Sequence, residues 1–133
     1  MPIRPDEFYQ AARDLNQMKP PLVSDEVCGR TMLNRIYYAA YLATREAVRK
    51  QLGNPRFNVT HSALATTLEN AADPDVSALG SRLAVLKSAR ERSDYQPHVS
   101  ISRAFAALRL ADARYVLDNA ARLARRFPHI QGR

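Results

Sequence analysis

The sequence predicts an all-α protein, an up-and-down bundle of about five helices in one domain. Three observations carry that expectation. The chain has 133 residues, enough for one domain to bury a real core without disulfide or metal staples. Its eight prolines stand at positions 2, 5, 20, 21, 55, 74, 97 and 128 and it has only four glycines, which leaves long stretches free of helix breakers. Within those stretches apolar residues recur at three- and four-residue spacing, and capping residues bound them.

Asp6 is placed to cap a first helix whose apolar side is Phe8, Ala12, Leu15 and Met18, ending before Pro20-Pro21. Ser24 caps a second helix, with Asp25 and Glu26 in its positive first turn and Gly53 as a left-handed stop. Leu33, Ile36, Tyr37, Ala40, Tyr41, Ala47 and Val48 give this longest element a core stripe, so it is expected at the centre of the bundle. Thr60 opens a third helix carrying Leu64, Leu68 and Ala71. Asp73 as cap and Pro74 at the first helical position open a fourth, with Val76, Leu79, Leu83 and Leu86 inward, which runs toward Tyr95 and stops at Pro97. Ser100 is the expected cap of a fifth helix reaching about Phe127. Ile101, Phe105, Leu108, Ala111 and Tyr115 lie on one of its faces and Leu110, Leu117, Ala120 and Ala124 on another. The domain core spans about residues 6–127.

Composition excludes several classes. Hydrophobic residues make up 46% of the chain and charged residues 25%, ordinary globular usage, so a disordered or fibrous chain is not expected. A single cysteine, Cys28, excludes an intramolecular disulfide and a cysteine-cluster zinc site, and fits a buried thiol in a reducing cytoplasm. The first residues lack the apolar stretch of a signal peptide. The longest apolar run, Ile36 to Ala43, is too short to cross a bilayer, so a membrane location is not expected. His61, His98 and His129 lack the paired spacing of zinc ligands, no carboxylate–histidine pattern suits a di-iron bundle, and no glycine-rich phosphate loop occurs, so neither metal nor cofactor is expected.

Charge points the other way. The formal net charge is +7, and arginines greatly outnumber lysines. Guanidinium forks suit phosphate, which gives weight to a nucleic-acid or nucleotide partner. From Ile101 onward, Arg103, Arg109, Arg114, Arg122, Arg125, Arg126 and Arg133 stand against only Asp112 and Asp118. Such a segment suits a phosphate backbone or an acidic partner, or forms a solvated helix face.

Three further segments occur in a telling order: Arg35-Ile36-Tyr37-Tyr38-Ala39-Ala40-Tyr41, Thr60-His61-Ser62, and Arg92-Ser93-Asp94-Tyr95. Their order and spacing in a small helical chain resemble the HEPN (higher eukaryotes and prokaryotes nucleotide-binding) family, in particular its small stand-alone prokaryotic members. The resemblance covers about residues 6–125. It implies a helical bundle, commonly dimeric, that binds nucleotide or RNA, often as a toxin beside a nucleotidyltransferase-like antitoxin. Active relatives are metal-independent endoribonucleases that use an arginine followed by a histidine after four to six residues. Arg92 and His98 have five residues between them, and Pro97 beside His98 departs from the helical run of that signature.

In chemical outline, His98 would take the proton of a ribose 2′-hydroxyl while Arg92 stabilises the phosphorane dianion. Binding without turnover by the same surface, and a protein-interaction bundle with no nucleic-acid role, are the alternatives. Asp94 near a helix C-terminus is expected to pair with Arg35, Arg90 or Arg92, and with Tyr95 to form a polar cluster fixing helix four against helix two or orienting Arg92. Tyr37 and Tyr41 suit the core, Tyr38 lies off the stripe, and His61 suits a structural role at its helix start. The two apolar faces of the last helix predict a homodimer built on helices four and five. It should bury more than roughly 1,000 Å² and bring both copies of the Arg92–His98 turn together.

Overall fold

A computed structural model describes residues 4–17, 24–96 and 98–133. The elements are α1 (Pro5–Gln17), α2 (Asp25–Leu52), α3 (His61–Glu69), α4 (Pro74–Tyr95), α5 (Arg103–Leu108) and α6 (Leu110–Leu123), followed by a 3₁₀ turn at Ala124–Arg126. The protein is an all-α helical bundle. Met18, Pro20, Pro21 and Pro97, invoked above, lie outside the described residues.

Local capping chemistry sets most boundaries. The Ser24 hydroxyl accepts from Val27 N at 3.2 Å, Thr60 from Ala63 N at 3.1 Å, and Asp73 from Asp75 N at 2.9 Å with Pro74 behind it. Gly53, at φ 64°, ends α2 with its N–H on the Lys50 carbonyl, a conformation that costs glycine little. Asp6 does not cap α1. Pro5, which has no N–H to leave unpaired, takes the first helical position, and Asp6 lies inside the first turn.

α2 is the central element, packed against α1, α4, α5 and α6, while α3 lies on α4. Met32, Leu33, Ile36 and Tyr37 from α2 meet Leu64 and Leu68 from α3, Leu79, Leu83 and Leu86 from α4, and Leu123 from α6 in one core. Close helix approach depends on two glycines. A Cβ on Gly29 would stand 2.7 Å from the Ser102 carbonyl oxygen, and one on Gly80 would stand 2.2 Å from Glu69 N.

The fifth helix departs from expectation. It is divided at Arg109, whose N–H bonds the Ala106 carbonyl three residues back at 3.0 Å instead of continuing the four-residue ladder. Its cap is Ser102, not Ser100. The Glu26 carboxylate captures Ile101 N–H at 2.9 Å and Asp25 Oδ2 takes Arg103 N–H at 3.2 Å, so α2 holds the incoming chain until Ser102 caps Phe105 N at 3.0 Å. The inward side is Ala106, Ala113, Val116, Ala120 and Leu123. Leu108, expected to share an apolar face with Ile101, is 66% exposed.

Candidate functional site

The middle of α2 presents Tyr37, Tyr38 and Tyr41, and the Thr60 cap puts His61 at the first position of α3, directly against them. The His61 ring stacks on Tyr41 with centroids 4.0 Å apart and planes 15° apart, and lies 5.3 Å from the Tyr37 ring. Tyr37 and His61 Nδ1 also share a hydrogen bond, and the Tyr41 hydroxyl donates to the Val59 carbonyl at 3.0 Å. Arg90 of α4 reaches across, its guanidinium carbon 5.3 Å from the Tyr37 centroid and 5.1 Å from that of Tyr38. Arg45 covers Tyr41 at 5.5 Å.

Electrostatics follow from this packing. Burial, followed by the cations Arg90, Lys87, Arg133 and Arg45, lowers the His61 pKa below its ordinary value. Burial pushes the Tyr37 phenol well above the usual range despite Arg90. A phenol that stays protonated facing an imidazole that stays neutral is assigned as the donor to Nδ1, which leaves the imidazole proton on Nε2. Tyr37 and Tyr41 are buried and supply no stacking surface, whereas Tyr38 and His61 are half-buried.

The structure brings four of the sequence-selected residues to this place. Arg35 is exposed, 5.9 Å over the Phe8 ring, which in turn lies 6.1 Å from Tyr38. Asp94 pairs with Arg90 at 3.1 Å, the second of the three arginines considered for it. Arg30, Thr31, Asn34, Arg35, Ser93 and Asp94 line an open depression of about 380 Å³ between α2 and the end of α4.

Other residues stand elsewhere. Tyr95 is 72% exposed and does not help fix α4 against α2; Ser93 is the buried residue of that segment, and its carbonyl accepts from Arg30. Arg92 is exposed, 6.0 Å over Phe105 on the α5 side, and His98 is exposed with no side-chain partner among the described residues. Arg30 reaches both segments, donating to the carbonyls of Ser93 and, at 2.5 Å, Val99.

In the basic quarter of the chain, Arg103, Arg109, Arg114 and Arg126 face carboxylates. Arg103 lies 3.8 Å from Asp25 and Arg109 lies 3.4 Å from Asp112, too poorly aligned for its buried Nε to form a hydrogen bond. Arg126 forks onto Asp73 at 2.6 Å and Asp75 at 3.0 Å, holding the Asp73 carboxyl below its ordinary pKa. Arg122 bonds Asn119 at 2.7 Å, and with Lys50 and Arg125 it borders a depression of about 410 Å³.

Sequence reasoning missed Arg90 as the centre of the cluster and Arg30 as the clamp of the turn. The spacing of Arg90 and Asp94 was the available signal for the first. Nothing local announces the second. Among the described residues no group of three or more His, Cys, Asp or Glu side chains is placed to hold a metal ion, and no helix is long and apolar enough to cross a membrane. No family model, no curated protein and no solved structure matches the chain.

Proposed function

We propose that the protein is a HEPN-like RNA- or nucleotide-binding module, a component of toxin–antitoxin type that acts as a homodimer, with a nucleotidyltransferase-like protein as its antitoxin partner. One observation carries the binding reading: exposed Arg35 and half-buried Tyr38 and His61 lie beside the Arg90–Asp94 pair and the depression between α2 and α4. A base stacks on an aromatic face and a phosphate takes a guanidinium fork, and this edge supplies both. Binding is preferred to cleavage because a general base must be held in orientation, and His98 is exposed without a side-chain partner among the described residues.

The test is a gel shift with single-stranded RNA across a salt series. Affinity should fall with rising salt, Tyr38→Ala should weaken binding at every salt, and Arg35→Ala should also flatten the salt slope by about one ion. No binding at low salt, or unchanged binding in both variants, would overturn the reading.

A further inference from the structure

A groove runs along the outer side of α4. Ser81, Ala84, Val85 and Ser88 line its length, with Phe105 and Arg109 of the α5 side as a wall, and it encloses about 430 Å³. Its surface is apolar for a solvent-facing one: Val85 is 39% exposed, and Leu108 and Tyr95, neighbours on the same two segments, are 66% and 72% exposed. The ends of the groove differ in charge. Glu69 stands at one and Arg92 at the other, and among the described residues neither has an ion-pair partner. Arg109 at the wall is already engaged with Asp112 at 3.4 Å.

This layout is self-complementary. If α4 is laid antiparallel on its own copy, with the twofold axis between Ala84 and Val85, Ser81 falls opposite Ser88. Arg92 then falls opposite Ser77, about 11 Å from the axis at 1.5 Å per residue. Ser77 is the residue whose hydroxyl donates to the Glu69 carbonyl at 2.7 Å, so the end of α3 is fixed beside it. The small side chains at Ser81, Ala84 and Ser88 allow close helix approach, and each unpaired arginine meets an unpaired carboxylate. A parallel copy would set like charges together instead.

We propose that this groove is the surface on which two copies of the chain pair, α4 antiparallel to α4, with Glu69 of each chain bonded to Arg92 of the other. The inference assigns a surface to the homodimer of the proposed function and does not depend on RNA binding. It differs from a pairing through the last helix: the two turns that carry His98 stand at opposite ends of the interface, so each nucleic-acid site is complete within one subunit. Arg92 serves assembly here.

Light scattering of the full chain at micromolar concentration tests it. The wild type should be a dimer. Glu69→Arg and Arg92→Glu, both at exposed positions, should each give a folded monomer by circular dichroism, and the double variant should restore the dimer. A monomeric wild type, single variants that remain dimeric, or folded singles without rescue in the double variant would each overturn the proposal. Independently, Val85→Cys should be joined into a covalent dimer by a short bis-maleimide while the wild type, whose Cys28 is buried, is not; no cross-link would also overturn it. Gel shifts with RNA are read separately, so loss of RNA binding with an intact dimer counts only against the proposed function.

Discussion

Tyr37 and His61 share a hydrogen bond between the central helix and the first residue of α3, with Arg90 from α4 lying over the Tyr37 ring. These two contacts tie three helices together at the edge of the core. Tyr37 is 1% exposed, so its hydroxyl needs this partner, and His61 keeps its neutral form to provide it.

Stability should depend on pH through His61. Its folded pKa lies below the ordinary value of 6.5, so in acid the unfolded chain takes up a proton that the folded chain refuses. The contribution is complete above the unfolded value and is lost as pH falls from there toward the lowered folded value. Urea midpoints should therefore be lower at about pH 5 than at about pH 7.5, and His61→Gln should reduce that difference. An unchanged pH dependence in His61→Gln would refute the assignment.

The turn after α4 should loosen when Arg30 is removed. Its guanidinium bonds the Glu26 carboxylate at 2.9 Å and the carbonyls of Ser93 and Val99, and only 21% of the side chain is exposed. Arg30→Ala should cost about 2–3 kcal/mol, because charge-assisted bonds are worth more than neutral ones and two carbonyls lose their donor. Arg30→Lys should recover little of this, since a single ammonium nitrogen cannot reach the three acceptors that the guanidinium serves from three separate nitrogens. Chemical denaturation measures the cost, and faster amide exchange at Val99 and Ile101 would locate it.

Gly80→Ala separates helix propensity from packing. In an open helix the change would gain roughly 1 kcal/mol. Here the new Cβ would stand 2.2 Å from Glu69 N and 2.5 Å from the Leu68 carbonyl carbon, backbone atoms that cannot swing aside. The contact between α3 and α4 must open, so the expected net effect is a loss of about 1–3 kcal/mol. A thermal melt at or above the wild-type midpoint would refute this close approach.

Most of the helical framework was legible because its signals are local. Ser24, Gly53, Thr60 and the Asp73-Pro74 pair act within one helical turn of themselves, so they place both ends of α2 and the starts of α3 and α4 locally. Leu33, Ile36, Leu64, Leu79 and Leu83 recur at helical spacing and are all buried, since the spacing defines a face whatever that face meets. The misplaced start of the fifth helix had a distant cause. Glu26 and Asp25 take the N–H groups of Ile101 and Arg103 from across the bundle, and no inspection of the segment after Pro97 exposes that competition.

The candidate site divides along the same line. That Tyr38 lies off the core stripe, that His61 begins a helix and that Asp94 needs an arginine were readable from spacing and capping. Which arginine answers Asp94, and that His61 stacks on Tyr41 beside Arg90, required the packed helices. The sequence alone determined an arginine-rich all-α chain with four well-marked helices and a strong positive charge. Tertiary structure decided which of those charges stay unpaired, because arginine side chains are long enough to find carboxylates far away in the chain. Arg126 crosses 53 residues to Asp73, while Arg35 and Arg92 have no carboxylate within ion-pair reach among the described residues. Periodicity specifies the face a helix turns inward, and only the folded chain specifies what that face and the charges around it will meet.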